Sequence, residues 1–212
     1  MTPSAAAVVI LLATVAYGAL HSALASLPAK QAARRLLGSS ADRFYRLGFN
    51  MVGTITLLPL LAFTVWQPGR SLYAVSPPLV YLFLAGQAAA LIVIALGLLQ
   101  TGPAHFLGLR QLVTTSEEPP RLSTGGLYRF VRHPLYTAGF VFLWLTPVMT
   151  STLLAQYVGL SLYLYIGSLF EESRLLREFG APYRAYQKQV PRLVPRWPGR
   201  RATATGPNPP SA

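Results

Sequence analysis

The sequence predicts an all-α integral membrane protein of about five transmembrane helices. Three observations carry the prediction. Apolar residues make up 52% of the 212 positions and charged residues only 11%. The apolar positions gather into runs free of Asp, Glu, Lys and Arg that approach the roughly 20 residues needed to cross a ~30 Å hydrocarbon layer as helix. The eighteen Lys and Arg fall in alternate connections, as they do when one side of a membrane receives the basic loops.

The apolar runs lie at about 4–26, 47–66, 79–99, 135–149 and 151–170. The first ends in His21-Ser22-Ala23-Leu24-Ala25, which resembles a signal cleavage site. A span is the better reading, because Met1-Thr2-Pro3-Ser4 carries no positive charge and the run exceeds a usual signal core. His21 and Ser22 are polar groups at membrane depth and should face protein or water. The connection 27–46 holds Lys30, Arg34, Arg35, Arg43 and Arg46, whereas 67–78 holds only Arg70. Segment 100–134 again holds Arg110, Arg121, Arg129 and Arg132, and eight basic residues follow position 170. Five spans with the N-terminus outside therefore put every strongly basic segment in the cytoplasm, and a bacterial inner membrane is expected.

Runs four and five are separated only around Thr150, which predicts a tight hairpin entered near Pro147. Beyond it, Gly180 can end the fifth helix, Pro182 suits the start of another, and Tyr183 and Tyr186 share one face of a short amphipathic helix. Arg184, Gln187 and Lys188 form its polar back, and Val190 to Pro195 continues as extended chain. Residues 1–198 read as a single domain, and 199–212, rich in Pro, Thr and Ala, as a disordered tail.

Composition also removes function classes. Without cysteine there is no disulfide, no thiolate nucleophile and no thiolate metal site. Histidines at 21, 105 and 133 are too scattered for a metal centre, and no Ser-His-Asp order or phosphate-binding glycine loop occurs. A net charge of +12 would raise the question of nucleic acid in a soluble protein; here a lipid bilayer with anionic headgroups is the expected partner and nucleic acid is not.

Two stretches carry chemistry. Segment 100–134 is long for a connector and runs through Phe106-Leu107-Gly108-Leu109-Arg110-Gln111 and a Glu117-Glu118-Pro119-Pro120 turn to Gly125-Gly126. Tyr128, Arg132 and Tyr136 then follow at i, i+4 and i+8, the spacing of one helix face, with Pro134 breaking that helix beside His133. For the Arg-His-Pro triplet taken alone, interfacial anchoring by Arg129 and Arg132 is the better reading. The second stretch begins with Glu171-Glu172 at the end of the last run; either helix pairing with Arg174 or a ligand's ammonium would satisfy a carboxylate there. As a pair at the membrane edge, the two glutamates are expected to be dispensable for packing.

Taken in order, GLYRFVRHPLY (126–136), Glu171-Glu172 and FGAPYRAYQKQVPRLVP (179–195) resemble the isoprenylcysteine carboxyl methyltransferase-like family of integral membrane methyltransferases. HSALAS (21–26) with Lys30, FLGLRQ (106–111) and LTPVMT (145–150) point to a bacterial branch near methanethiol S-methyltransferases and NnrU-like proteins. The resemblance implies a cytoplasmic pocket for S-adenosyl-L-methionine on the C-terminal hairpin, with Arg132, His133, Glu171 and Glu172 as catalytic positions. It places cofactor contacts at those four and at Leu122, Ser123, Gly126, Tyr128, Pro134, Tyr136 and Tyr183, and substrate contacts at Gln111 and Tyr165. The cofactor carries a sulfonium, an ammonium and a carboxylate, for which an anion, aromatic faces and a cation are wanted, and these residues offer all three. In the eukaryotic relatives a basic residue one turn before the glutamate serves the substrate; here that stretch is Tyr165-Ile166-Gly167-Ser168. That departure counts against a carboxylate acceptor, so a small or apolar methyl acceptor such as a thiol is expected, with an isoprenylcysteine-like carboxylate as the other option. The alternatives are a non-catalytic ligand-binding membrane protein and, from distant sterol reductases, a nicotinamide enzyme.

Overall fold

A computed structural model describes residues 1–113 and 122–196. The Glu117-Glu118-Pro119-Pro120 turn, Arg121 and the 199–212 tail lie outside the described residues. Among the described residues, four helices are long and apolar enough to cross a membrane, Pro3–Ala25, Arg43–Trp66, Leu79–Gln100 and Ser151–Phe179, and the chain is an integral membrane protein.

Helix α1 (Pro3–Ala25) starts at Thr2, whose hydroxyl accepts from the Ala5 amide, with Pro3 in the first turn. Ser26 then serves two helices. Its hydroxyl donates to the Ala23 carbonyl and accepts from the Ala29 amide, so it closes α1 and opens α2 (Leu27–Leu37). The basic connection expected at 27–46 is thus largely helical. Helix α2 gathers Lys30, Gln31, Arg34 and Arg35 along one side and buries none of its residues, as an interfacial helix does. Gly38 ends it at φ 58°, and α3 (Ser40–Trp66) follows.

Strand β1 (Ser71–Ala74) pairs antiparallel with β2 (Val148–Thr150), Ser71 opposite Thr150 and Ala74 opposite Val148. Helix α4 (Leu79–Thr101) returns to the first side, where the short helices α5 (Pro103–Leu107) and α6 (Arg110–Val113) pack on α3. Between them Gly108, at φ +87°, sits so close to α3 that a Cβ would lie 2.6 Å from the Leu47 amide nitrogen.

The fourth expected span departs most from the sequence reading. Helix α7 (Pro134–Trp144) has 11 residues, about 16 Å of helix, and stops before Thr146-Pro147. Proline lacks an amide hydrogen and drives the preceding residue out of the helical region, so the chain continues extended into β2. The turn between the last two segments is therefore a strand tied to β1. Helix α8 (Ser151–Phe179) has 29 residues, about 43 Å, and outruns a hydrocarbon layer by several turns. Helix α9 (Ala181–Gln189) follows Gly180, whose φ of 59° permits the break.

Small residues set the packing. Ala6, Ile10, Thr14 and Gly18 form the buried stripe of α1, which packs against α8, where Thr152, Gln156 and Gly159 are buried. Thr14 lies over Gly159 and Tyr163 over Gly18, so these two helices run parallel. Gly97 opposite Leu135 and Gly86 opposite Leu145 make α4 and α7 antiparallel. Large apolar side chains such as Leu12, Leu58, Val65, Leu82 and Ile92 face outward, where hydrocarbon replaces water as solvent. The C-termini of α1, α4 and α8 share one end of the bundle with α2, α9 and, among the described residues, nearly all the cations; Arg70 stands at the other end.

Candidate active site

The local chain conformation follows from three residue types. Gly126 takes φ +58° and opens a 3-10 turn, Gly126–Arg129, against the Gln100 side chain. Pro134 occupies the first turn of α7 and leaves His133 at φ −124°, ψ 68°, outside the helical region. Tyr128, Arg132 and Tyr136 consequently do not lie on one continuous helix, as their spacing suggested. Residues 130–133 instead run beside the chain after α9: the Arg132 amide donates to the Pro191 carbonyl at 2.9 Å and the His133 amide to Arg192 at 3.2 Å. Thr137 adds a hydroxyl donor to the Leu193 carbonyl at 2.6 Å. This strap pins the start of α7.

Glu172 is the centre of the polar cluster. Arg132 donates to it from Nε at 2.8 Å and from Nη2 at 2.9 Å, and the Tyr183 hydroxyl donates to Oε1 at 2.8 Å. His133 Nε2 stands 2.8 Å from Oε1, and the Gln187 amide donates to Oε2. The remaining Arg132 nitrogen, Nη1, donates to the carbonyls of Gln187 and Val190. A carboxylate with its lone pairs so filled ties α7, α8, α9 and the strap together. The expectation that both glutamates are dispensable for packing is corrected for Glu172. Gln187 likewise points inward instead of forming a polar back.

Glu171 is placed differently. Its oxygens lie 3.6 Å from His133 Nδ1 and 3.4 Å from Arg174 Nη2, with Tyr136 directed at the same carboxylate, and its side chain stays 32% exposed. It faces a cleft of about 190 Å³. Of the residues expected to contact a cofactor, Leu122, Ser123, Tyr128, Arg132, His133, Pro134, Tyr136, Glu171 and Tyr183 line this cleft; Gly126 and Glu172 do not. Leu135, Leu175, Phe179 and Tyr186 join the lining without having been singled out as contacts. A signal for two of them existed, since 171, 175 and 179 repeat every four residues on α8. Tyr165 lies away from the cleft beneath the Arg192 guanidinium, 4.7 Å from its ring centre, and Gln111 sits on α6 against α3; neither lines the cleft.

The two tyrosines of α9 are held neutral. Burial, followed by the hydrogen bond to Glu172, raises the Tyr183 phenol well above its ordinary value, and burial pushes Tyr186 up to about 12. Tyr186 spends its proton on the Tyr128 carbonyl at 2.6 Å.

Over 192 residues the chain is 30% identical to the methanethiol S-methyltransferase of a Pseudomonas species, a match covering 85% of this chain and 70% of that protein. The chain belongs to the methanethiol S-methyltransferase family. Shorter stretches of 97 residues are 40% identical to methanethiol S-methyltransferase 1 of Bradyrhizobium diazoefficiens and 37% identical to the methanethiol S-methyltransferase of Crocosphaera subtropica. They cover 43% of this chain, and 34% and 38% of those two relatives' own lengths. No family model matches the chain. No solved structure matches it either. Methanethiol S-methyltransferase relatives agree with the resemblance to isoprenylcysteine carboxyl methyltransferase-like membrane proteins carried by residues 126–136, 171–172 and 179–195.

Proposed function

We propose that the chain is an S-adenosylmethionine-dependent methyltransferase whose acceptor is a small thiol. The observation that carries the reading is the division between the two glutamates. Glu172 is consumed by Arg132, His133, Tyr183 and Gln187, while Glu171 presents a carboxylate to a cleft walled by Tyr128, Tyr136, Phe179, Tyr183 and Tyr186.

That donor set suits the cofactor. Its net charge is positive, and an anionic group among aromatic faces is what an ammonium and a sulfonium require. Glu171 would hold the ammonium, the ring faces would take the sulfonium and adenine, and Leu122 with Leu175 would close the apolar side. When bound, the cofactor supplies a methyl group on a positively charged sulfur. The protein's part is to orient that group and keep water from it; displacement by a thiolate neutralises charge and needs no strong base beyond the one that takes the thiol proton. His133 is fixed by both glutamates, a positioning role for the wall that carries Tyr136.

The acceptor follows from what the wall lacks. One turn before Glu171, Gly167 lies under the Tyr136 ring, Ser168 is fully buried with its hydroxyl on the Tyr165 carbonyl, and none of residues 165–168 is itself a cation that could receive an acceptor's carboxylate; the nearby Arg192 guanidinium lies over the Tyr165 ring, away from the cleft. The basic end of the bundle is assigned to the cytoplasm on the charge rule, which puts the cleft on that side. Purified protein given S-adenosylmethionine should convert methanethiol to dimethyl sulfide and leave prenylated cysteine unmethylated. Activity on prenylcysteine alone sinks the thiol assignment, and tight cofactor binding without turnover on either acceptor leaves a binding module in place of an enzyme.

A further inference from the structure

On the thiol reading above, one cleft has to hold a nucleoside-bearing donor and its acceptor together. The described residues leave it about 190 Å³, below the roughly 300–1,000 Å³ of ordinary ligand pockets, so the acceptor's share is small. The wall that fixes this share belongs to α8. Glu171, Leu175 and Phe179 stand one turn apart along one row of that helix and line the cleft towards its C-terminal end. One turn before Glu171 the same row holds Gly167, and from there the helix runs back into the bundle.

In place of a side chain, Gly167 carries the ring of Tyr136 from α7. A Cβ at Gly167 would lie 3.5 Å from Tyr136 Cε1, 3.6 Å from Oη and 3.9 Å from Cζ, so the ring rests on the helix in van der Waals contact. His133 packs on the same ring at 82°, ring centres 5.4 Å apart, and is itself held by both glutamates. One turn deeper, Leu164 closes on Gly139, its Cδ1 3.2 Å from where a Cβ would stand. The Tyr136 ring is therefore the floor of the cleft beside Glu171, with closed helix packing beneath it. A floor backed by helix backbone does not sink to make room for a longer ligand. An acceptor that reaches a methyl group held beside Glu171 has to fit between that group and this ring.

We propose that Gly167 sets the size of the methyl acceptor: by seating the Tyr136 ring against α8 it fixes a floor that admits methanethiol and ethanethiol and turns away longer or aromatic thiols. Gly167 is a positioning residue, and Tyr136 is the surface that meets the acceptor. A β-branched side chain at 167 lifts the ring into the cleft, and loss of the ring lowers the floor.

The test gives methanethiol, ethanethiol, 1-butanethiol and benzenethiol, with S-adenosylmethionine, to full-length protein in nanodiscs. Calorimetry follows S-adenosylhomocysteine binding and the binding of each thiol to protein already loaded with S-adenosylhomocysteine. Tyr136→Ala should raise kcat/KM for 1-butanethiol relative to methanethiol by about tenfold or more, with the same reordering in thiol binding to the loaded protein. Gly167→Val should lower the ratio of ethanethiol to methanethiol by about tenfold, through KM, with S-adenosylhomocysteine affinity near that of wild type. In the double variant the valine enters space that the ring has left, and discrimination should exceed that of Tyr136→Ala alone. Wild-type ratios in the single variants, or a proportional fall for every thiol, overturn the proposal, the second by making the ring part of the donor site only. Wild-type protein that takes 1-butanethiol as well as methanethiol overturns it too. Wild-type protein that binds S-adenosylhomocysteine and methylates no thiol refutes the thiol reading itself, and the size filter with it.

Discussion

The guanidinium of Arg132 meets both oxygens of the Glu172 carboxylate, Nε at 2.8 Å and Nη2 at 2.9 Å, across 40 positions of chain. Forked pairing of this kind fixes both distance and orientation, and the two side chains are only 11% and 12% exposed. Removing one partner leaves the other's charge stranded in a largely dry place. Glu172→Gln should therefore lower stability by about 3 kcal/mol, whereas Glu171→Gln, at a more exposed carboxylate with longer contacts, should cost less than about 1 kcal/mol. Cofactor affinity should fall in both, in the second without loss of thermal stability. Matching shifts of the unfolding midpoint in the two variants would dissolve the division of labour between the glutamates.

Arg132→Lys keeps the charge and loses the geometry. An ammonium is a point donor and cannot span two carboxylate oxygens and the carbonyls of Gln187 and Val190 together. The strap after α9 should loosen, because the backbone bonds to Pro191 and Arg192 depend on where residue 132 is held. Limited proteolysis after position 190 should speed up severalfold in the variant. Cleavage at the wild-type rate would show that the strap is anchored independently.

Gly108 and Gly48 make a pair of opposite sign. At Gly108 the backbone takes φ +87° and a methyl would meet the Leu47 nitrogen at 2.6 Å and the Arg46 carbonyl carbon at 3.0 Å, atoms that belong to a helix and cannot swing away. Gly108→Ala should cost about 1–3 kcal/mol and raise amide exchange across 103–113. Gly48 sits within α3 with open space around it, so Gly48→Ala should stabilise by up to about 1 kcal/mol. Equal effects on exchange would count against the docking of α5 and α6 on α3.

Elements governed by local chemistry were legible in the sequence, and those governed by distant partners were not. Gly180 and Pro182 announced α9, and Pro134 announced the non-helical His133. The α2 helix was there to be read in Ser26-Leu27-Pro28, a cap followed by an early proline, but its charges resembled a loop. Composition alone made 135–149 a span; only the restriction that Pro147 puts on Thr146, and the pairing of β2 with β1 some 75 residues earlier, cut the helix short. In the site, the residue types were visible and their assignments were not. Glu171 and Glu172 are neighbours in sequence, yet a 100° step of helix aims one at the cleft and the other at a clamp assembled from residues 132, 133, 183 and 187.

Tyr186 gives the clamp region a pH signature. Its phenol is pushed up to about 12 from 10.0 by burial, so between those values the unfolded chain releases a proton that the folded chain keeps. The stability this contributes is fully present below pH 10 and drains away as pH rises towards 12. Tyr186→Phe removes the hydrogen bond to the Tyr128 carbonyl and should cost about 1 kcal/mol at neutral pH, with no titration of its own at that position. The wild-type advantage over the variant should be constant up to pH 10 and shrink from there to pH 12 in denaturant unfolding series. A gap that stays the same across that interval would mean that Tyr186 ionises as freely in the fold as in the unfolded chain, and that α9 does not seal its ring from water.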